Sequence, residues 1–405
     1  MKVALIVQRY GAEIAGGSEQ LCRMVAERLA KHCSCDVITT CARDYVTWHN
    51  EFPAGTTMIN GVRVHRFPVD ERRDNDHFNA LSVEVFANPE DRRLQEKWMK
   101  AQGPYSTPML TFLNTHSHNY DAFIFFTYLY CTTYFGLPLV HDRSILVPTA
   151  HDEPPVYLSM FDELFRLPQR LLFLTPEEQD FVYRRFCLPP DSGELASIGL
   201  ENDRNSQASD IPEQIRSWLG PAPYLLYVGR IDESKGCKTL IEWFQKYASA
   251  HPNSGLRLVL AGKAVMNIPP HDRILAPGYV SESAKHALVE HAVCTVAPSP
   301  YESLCISALE SWIKGTPVIA NGHCEVLAGQ CRRSNGGLWY RNYEEFAECV
   351  SLISANETLR RRLGSQGRDY VTKVYDWKRI EKIYIRNVQL VSGTAAIARA
   401  SSSLA

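Results

Sequence analysis

Short aliphatic segments alternate with amphipathic segments along most of the chain. Near its start, KVALIV (residues 2–7) precedes a glycine-rich loop and a segment in which Leu21, Val25 and Leu29 recur at helical spacing. The aliphatic CDVITTCA (residues 35–42) comes next. This order of strand, helix and strand predicts a βαβ unit at the start of a parallel sheet.

The same alternation continues to about residue 190. The further predicted elements are strands within 61–69, 120–130 and 144–155, surface helices within the charged residues 71–103, a helix near 104–117, and a strand and helix within 170–186. In the last of these, Thr175-Pro176 is a typical helix start. These elements predict a doubly wound α/β domain.

The pattern restarts after a polar, proline-containing segment at 200–214, which predicts a linker. Aliphatic strands without polar alternation follow within 224–230, 256–262, 274–280, 294–299 and 316–320, separated by helical segments. Such strands are typical of parallel sheets covered on both faces, so we predict a second Rossmann-like domain. We expect a cleft between the two domains, lined by the carboxyl ends of both sheets, where ligands of open α/β sheets bind.

Net charge and cysteine content disfavour a nucleic-acid-binding protein and a disulfide-bonded secreted protein. A net charge of −2 gives no basic surface of the kind that nucleic-acid binders carry. The twelve cysteines are scattered without Cys-x-x-Cys pairs, which suits thiols in a reducing cytosol, and Cys33-Ser-Cys35 is a weak candidate for a metal site. We therefore expect a cytoplasmic protein.

Membrane association is a secondary hypothesis. MKVALIV is too short for a signal-peptide core, and the uncharged residues 122–140 contain Gly136 and Pro138, which favours a buried strand and helix over a membrane span. Residues 90–102 could contact the inner membrane face peripherally through Trp98 and four basic residues. Their mixed charge favours a solvated helix.

The segment YVGRIDESKG (residues 227–236) carries the first candidate chemistry. A strand delivers Gly229 and Arg230 to a loop, and Lys235 follows at the start of a helix. Two cations beside a helix N-terminus can bind a diphosphate. The alternative is a surface loop held by its own ion pairs.

Two further segments are candidates. Gly16 and Gly17 precede a helix that we expect Ser18 to cap, and paired glycines allow a ligand close to the backbone. Glu302 and Glu310 form a Glu-x7-Glu arrangement. A helix is predicted to begin near Ser303, which places Glu302 in the preceding loop or the first turn and Glu310 about two turns further along, so they could hold different parts of one ligand. An ordinary pair of helix carboxylates is the alternative.

Together, the Glu-x7-Glu pair, Arg230 and Lys235 after a Val-Gly strand end, the Gly16-Gly17 loop and His151 in PTAHDEP resemble the retaining GT-B glycosyltransferases of family 4. The resemblance covers residues 2 to 390. It implies two Rossmann-like doubly wound parallel-sheet domains facing a central cleft. It divides the chain into a first, acceptor-side domain at 1–197, a nucleotide-sugar domain at 198–375, a helix at 376–392 that crosses back to the first domain, and a flexible tail at 393–405.

The resemblance also implies roles. Arg230, Lys235, Glu302 and His151 would be catalytic. The two cations would bind the donor diphosphate, Glu302 would contact the transferred sugar or lie near its reacting face, and His151 would hydrogen-bond the same sugar from the first domain. Glu310 would accept the ribose hydroxyls. The remaining implied donor contacts are Gly16, Gly17, Gly229, the backbone of Ser303, Leu304 and Cys305, and, around the base, Gly262, Lys263, Tyr279 and Val280.

By the same resemblance the protein would be a hexosyltransferase without a cofactor or metal. It would move a sugar from a UDP- or GDP-linked donor to a saccharide, polysaccharide or lipid-linked acceptor with retention of configuration. Ser303-Leu304-Cys305 departs from the Gly-Phe-Gly of many members, which makes the donor geometry less secure.

Three alternatives stay open. Asp74-Asn75-Asp76 has the form of a metal-binding Asp-x-Asp, but its charged surroundings favour a solvated loop, and His116 and His118 are best interpreted as surface residues. A GT-B-fold sugar-nucleotide epimerase or hydrolase would use related groups. A non-catalytic nucleotide-sugar-binding scaffold is disfavoured because the charged motif positions are all present.

Overall fold

Each half of the chain folds around its own sheet. The computed structural model describes residues 1–14, 16–201 and 210–402, with side chains to residue 393. It divides into a first unit, Met1–Ile198 with Lys378–Ala405, and a second unit, Gly199–Trp377. Both units are α/β with mainly parallel strands, which confirms the predicted fold class.

The first unit is built on an eight-stranded sheet in the order β3-β4-β2-β1-β5-β6-β7-β8. Its elements are β1 (Lys2–Ile6), α1 (Gly17–Leu29), β2 (Ser34–Thr40), β3 (Gly55–Ile59), β4 (Val62–Phe67), α2 (Asn75–Ala87), α3 (Arg92–Gln102), α4 (Thr107–His116), β5 (Ala122–Phe126), α5 (Cys131–Tyr134), β6 (Ser144–Val147), α6 (Met160–Leu164), β7 (Arg170–Phe173), α7 (Pro176–Phe186) and β8 (Gly193–Leu195).

The central strands of this sheet are hydrophobic without alternation because helices cover both faces. Val3 pairs in parallel with Cys35 of β2 on one side and with Ala122 of β5 on the other, and β5 is buried along its whole length. The exception is β3, which pairs antiparallel with β4. We did not predict β3, because its exposed residues give it no hydrophobic signal.

The second unit is built on a six-stranded parallel sheet in the order β11-β10-β9-β12-β13-β14. Its elements are α8 (Glu213–Leu219), β9 (Tyr224–Val228), α9 (Cys237–Ala250), β10 (Arg257–Ala261), β11 (Ile274–Gly278), α10 (Glu282–His291), β12 (Cys294–Ala297), α11 (Ile306–Lys314), β13 (Val318–Asn321), α12 (Glu325–Ser334), β14 (Gly337–Tyr340), α13 (Tyr343–Ala355) and α14 (Glu357–Val374). Most of the predicted linker, residues 202–209, lies outside the described part.

The last helix, α15 (Trp377–Ser402), packs on the first unit. The Asn387 side-chain amide donates to Glu194 Oε1 at 2.6 Å, and the Tyr384 hydroxyl donates to the Ser197 carbonyl oxygen. The helix is longer than we predicted and continues through most of the segment expected to be a tail. Residues 393–402 include four alanines, and alanine is the best helix former.

The charged segment 71–103 forms helices as predicted, but Trp98 does not face outward. It is 1% exposed, and its indole N–H donates to Ser82 Oγ at 2.9 Å. Trp98 therefore packs in the core, and the suggested membrane contact through this residue is wrong. Within the described residues no helix combines the length and the apolar character that a membrane span requires.

A buried carboxylate holds together the amino-terminal ends of several strands of the first sheet. Asp36 is 1% exposed and accepts hydrogen bonds from Lys2 Nζ at 3.0 Å, Tyr120 Oη at 2.9 Å and His65 Nε2 at 3.3 Å. Burial acts to raise the pKa of Asp36, but the hydrogen bonds from His65, Lys2 and Tyr120 outweigh it and lower the pKa to about 2. The charged form is thus the one that the fold stabilises.

We expect Asp36→Asn to lower the free energy of unfolding by about 2 kcal/mol at pH 7. A depressed folded-state pKa contributes stability above the unfolded value near 3.8, and this contribution is lost as the pH falls toward 2. The wild type should therefore lose more stability between pH 5 and pH 2 than the variant does. Chemical denaturation across this range measures the difference, with the exposed Glu84→Gln as control. Parallel profiles for wild type and Asp36→Asn would contradict the assignment.

Candidate active site

Three loops at the carboxyl edge of the second sheet are joined by backbone hydrogen bonds. The Gly229 N–H after β9 donates to Ala261 at the end of β10, and the Gly262 N–H donates to Gly278 at the end of β11. Gly262 has a φ of +156°, and a Cβ there would overlap the Gly229 carbonyl oxygen. Glycine is therefore needed for the close approach of these loops.

The loop after β9 carries the two predicted cations. Arg230 Nε lies 2.7 Å from Asp232 Oδ2, and Asp232 Oδ1 accepts the Ser234 N–H at 2.9 Å. Asp232, which orients Arg230, was not among the predicted site residues, although ion pairs within this loop were the stated alternative. Gly236, in the left-handed region at φ +74°, then starts α9, so Lys235 lies immediately before the helix N-terminus.

Lys235 and Glu302 meet across two loops. Lys235 Nζ lies 2.8 Å from Glu302 Oε1, and the two side chains are 34% and 19% exposed. Burial acts to lower the pKa of Lys235, but the Glu302 carboxylate outweighs it and raises the pKa. The lysine is therefore charged at neutral pH. Residues 67 positions apart in sequence thus form one charged pair at the sheet edge.

Glu302 lies before α11 and Glu310 lies on it, which is one of the two arrangements predicted. The helix α11 begins at Ile306, three residues later than expected, so Glu302 lies in the preceding loop. Cys305 caps the helix at φ +65°, a left-handed conformation that glycine adopts more easily. The turn is formed here by a non-glycine residue. Glu310 lies on α11, where its Oε1 is 2.9 Å from Lys285 Nζ.

The residues predicted around a nucleobase lie on the neighbouring loops. The Lys263 carbonyl oxygen accepts the Ile231 N–H at 3.0 Å, which ties its loop to that of Arg230. Tyr279 is 64% exposed just after β11, and Val280 packs on the apolar cluster beneath the sheet. The structure therefore places these residues on loops adjoining the one that carries Arg230 and Lys235.

Gly16 and Gly17 lie between β1 and α1, at the carboxyl edge of the first sheet. Gly16, not Ser18, is the N-cap of α1, and a Cβ at Gly16 would overlap the Glu19 carboxylate. Glu19 is buried and pairs with Arg9, whose Nε lies 2.8 Å from its Oε1. A Cβ at Gly17 would meet nothing within 4 Å.

These surroundings predict different results for the two glycines. Gly16→Ala should lower the free energy of unfolding by about 2 kcal/mol, because it disturbs a buried ion pair. Gly17→Ala should leave stability within about 0.5 kcal/mol, and it should reduce activity if the open space beside Gly17 holds a ligand as predicted. Thermal melts and rate measurements on both variants separate the effects. Full activity of a stable Gly17→Ala variant would contradict a ligand contact at Gly17.

His151 lies in the loop after β6, also in the first unit. Its Nδ1 is 3.1 Å from Glu153 Oε1, an oxygen that also accepts the Tyr128 hydroxyl. The buried carboxylate of Glu178, which was not predicted, anchors this loop. It accepts the Ala150 N–H at 2.7 Å. Burial raises the pKa of Glu178 to about 8. Its signal in the sequence was its position three residues after the helix cap Thr175.

The other candidates have structural roles. Asp74 caps α2, and its side chain accepts the N–H groups of Asp76 and His77. His116 stacks on Phe112 at a centroid distance of 4.5 Å. Cys33 Sγ and Cys35 Sγ are 3.6 Å apart, and no group of three or more potential metal ligands occurs within the described residues.

The chain is similar in sequence to known glycosyltransferases. Residues 211–370, which include Arg230, Lys235, Glu302 and Glu310, match the family model described as "Glycosyl transferases group 1". An uncharacterized glycosyltransferase of Methanocaldococcus jannaschii is 27% identical over 421 residues, covering 94% of this chain and 96% of that protein.

Solved structures share the fold. Sucrose-phosphate synthase from Thermosynechococcus elongatus matches with a TM-score of 0.71 at 18% identity, covering 97% of this chain and 99% of that one. The Anabaena protein HepE in complex with UDP and glucose matches with a TM-score of 0.67 at 12% identity, covering 96% and 99%. At these identities the likeness concerns the two-domain GT-B fold.

Proposed function

We propose that this chain, whose residues 211–370 form a glycosyl transferases group 1 domain, transfers a sugar from a nucleoside diphosphate donor to a glycan-type acceptor with retention of configuration. The observation that carries the proposal is the Lys235–Glu302 pair beside Arg230 and the N-terminus of α9. In this proposal Lys235 binds the diphosphate and Glu302 binds the sugar attached to it.

Arg230 and Lys235 are proposed to bind the donor diphosphate. When the bond between the sugar C1 and the phosphate oxygen breaks, negative charge develops on the leaving diphosphate. Two fixed cations and the dipole of α9 favour that charge, and such preorganised groups commonly supply the largest part of a rate enhancement. The Asp232 carboxylate orients Arg230 through its contact with Nε.

Glu302 is proposed to contact the transferred sugar. Its carboxylate holds Lys235 in the present structure, so a diphosphate that binds Lys235 would loosen this pair and make the carboxylate available to sugar hydroxyls. Glu310 is proposed to accept hydrogen bonds from the ribose. In the first unit, Gly17 and His151 are the proposed ligand contacts.

The proposed transfer needs no separate general base. The C1–O bond to the diphosphate breaks, a C1–O bond to the acceptor forms on the same face, and the acceptor proton passes to an oxygen of the departing diphosphate. Atoms and charges balance without a further reactant. The arrangement of the second unit fits this reaction, because it offers groups that stabilise charge around the leaving diphosphate.

Product analysis tests the proposal. The protein is incubated with UDP- and GDP-linked hexoses and a panel of monosaccharide, disaccharide and sugar-phosphate acceptors, and the products are examined by NMR. A new glycoside with the donor's anomeric configuration is expected. Free sugar or an epimerised nucleotide sugar as the main product would indicate a hydrolase or epimerase instead. Absence of any turnover, with nucleotide sugar bound, would favour a non-catalytic scaffold.

We expect transfer to be independent of divalent cations. The cations proposed to neutralise the diphosphate are Arg230 and Lys235. Adding about 5 mM EDTA, an excess over any trace metal, should therefore leave the initial rate within about 20% of the untreated value. The measurement is the rate of nucleoside diphosphate release with and without EDTA. A rate restored only by added Mg²⁺ or Mn²⁺ would contradict the metal-independent mechanism.

A further inference from the structure

Lys285 is a lysine in a position that otherwise suits an apolar residue. It lies on α10 among the buried residues Ala284, Ala287 and Leu288, and its side chain is 10% exposed. Burying an ammonium group is unfavourable unless it is paired and hydrogen-bonded. An aliphatic side chain would cover the same face without this cost, so the lysine needs a specific partner.

That partner is Glu310. Lys285 Nζ lies 2.9 Å from Glu310 Oε1 and 2.8 Å from Glu282 Oε2. Glu282 is on the same helix and its side chain is 65% exposed, so water can replace this contact. The Glu310 side chain is 14% exposed and lies on α11, so this ion pair is enclosed and links two helices.

The ion pair persists at neutral pH. Burial acts to lower the pKa of Lys285, but the carboxylates of Glu310 and Glu282 outweigh it and raise the pKa. The ammonium group contacts Glu310 through Oε1, which fixes the orientation of the carboxylate and leaves Oε2 to accept further hydrogen bonds. The positive charge of Lys285 also offsets the negative charge of the Glu310 carboxylate. Without this lysine, the carboxylate would repel an approaching diphosphate.

We propose that Lys285 is a positioning residue for the donor nucleotide: it orients the Glu310 carboxylate toward the ribose hydroxyls and thereby sets the preference for ribonucleotides over deoxyribonucleotides. The inference rests on the proposed function, since it requires Glu310 to contact the ribose. Lys285 itself acts through Glu310 and does not need to touch the nucleotide.

Calorimetric binding of UDP and 2′-deoxy-UDP, and of GDP and 2′-deoxy-GDP, tests the proposal. The wild type should bind the ribonucleotide of its preferred base about tenfold more tightly than the deoxy form, as expected for hydrogen bonds to a charged group. Lys285→Met, similar in volume but uncharged, should reduce this ratio to about twofold or less. Lys285→Arg should restore most of it, and Glu310→Gln should lower the ratio as Lys285→Met does.

Two controls make the result specific. Lys373→Met, at an exposed position in the last turn of α14, should keep the wild-type ratio. If Lys285→Met does not yield folded protein, Lys285→Gln provides the same measurement, since it also lacks the charge. A lower melting temperature with an unchanged ratio in the Lys285 variants would show a purely structural lysine and overturn the proposal.

The outcomes also separate this inference from the proposed function. If none of the four nucleotides binds to the wild type, the proposed function and the role of Lys285 both fail. If the wild type binds a ribonucleotide selectively and Lys285→Met does so to the same extent, the role of Lys285 alone fails.

Discussion

Replacing Lys235 by alanine is expected to lower kcat/KM for sugar transfer by about 10²–10³-fold. The variant loses the cation that lies before α9 and would neutralise the leaving diphosphate. Arg230→Ala should have an effect of the same order, because its guanidinium lies on the same loop and is held by Asp232. Lys235→Arg should recover part of the activity, since it restores the charge with a different shape.

The fold should survive these changes. The Lys235–Glu302 pair is partly exposed, so losing it should cost about 1 kcal/mol of unfolding free energy. Lys238→Ala, at an exposed position in the first turn of α9, is the matched control and should keep full activity. The measurements are initial rates over a range of donor concentrations and thermal melts. Near-normal turnover of both Arg230→Ala and Lys235→Ala would remove the basis for placing the diphosphate here.

Gly262→Ala is expected to give the largest loss of stability, about 3 kcal/mol or more. The new Cβ would overlap the Gly229 carbonyl oxygen, and φ at this position is +156°. The loops after β9 and β10 would have to separate, which would displace Arg230 from its position. Activity should therefore fall even in molecules that remain folded.

Gly255→Ala provides the comparison for this variant. Gly255 also has a positive φ, +61°, in the left-handed region, but a Cβ there would meet nothing within 4 Å. Its cost should be about 1 kcal/mol, from backbone conformation alone, with activity retained. Denaturation curves of the two variants measure the difference. Equal, small losses in both would contradict the close packing of the two loops.

Hydrophobic pattern was sufficient to predict most of the fold. Buried strands such as β5 and β9 are continuous aliphatic or aromatic segments, and the Thr175-Pro176 start of α7 was confirmed, with Thr175 Oγ1 accepting the Glu178 N–H. The exposed strand β3 gave no such signal. The start of α11 was wrong because the turn at Cys305 depends on a left-handed φ that its sequence does not indicate.

The candidate site could be predicted less completely, because its partners are distant in sequence. The loop of Arg230 and Lys235 was found from local spacing, but its contact with Glu302 spans 67 residues. Lys285 and Glu178 were missed for the same reason. Each looks like an ordinary helix residue until the fold places Glu310 beside Lys285 and the Ala150 N–H beside Glu178.

The most direct test of the central claim is calorimetric binding of UDP, GDP, ADP, CMP and dTDP, alone and as their common sugar conjugates, to the wild type and to Lys235→Ala. We predict that one diphosphate and its sugar conjugates bind selectively to the wild type, and that Lys235→Ala weakens this binding at least tenfold. Absence of binding by every nucleotide, or equal binding by both proteins, would contradict a nucleotide-sugar site at Arg230, Lys235 and Glu302.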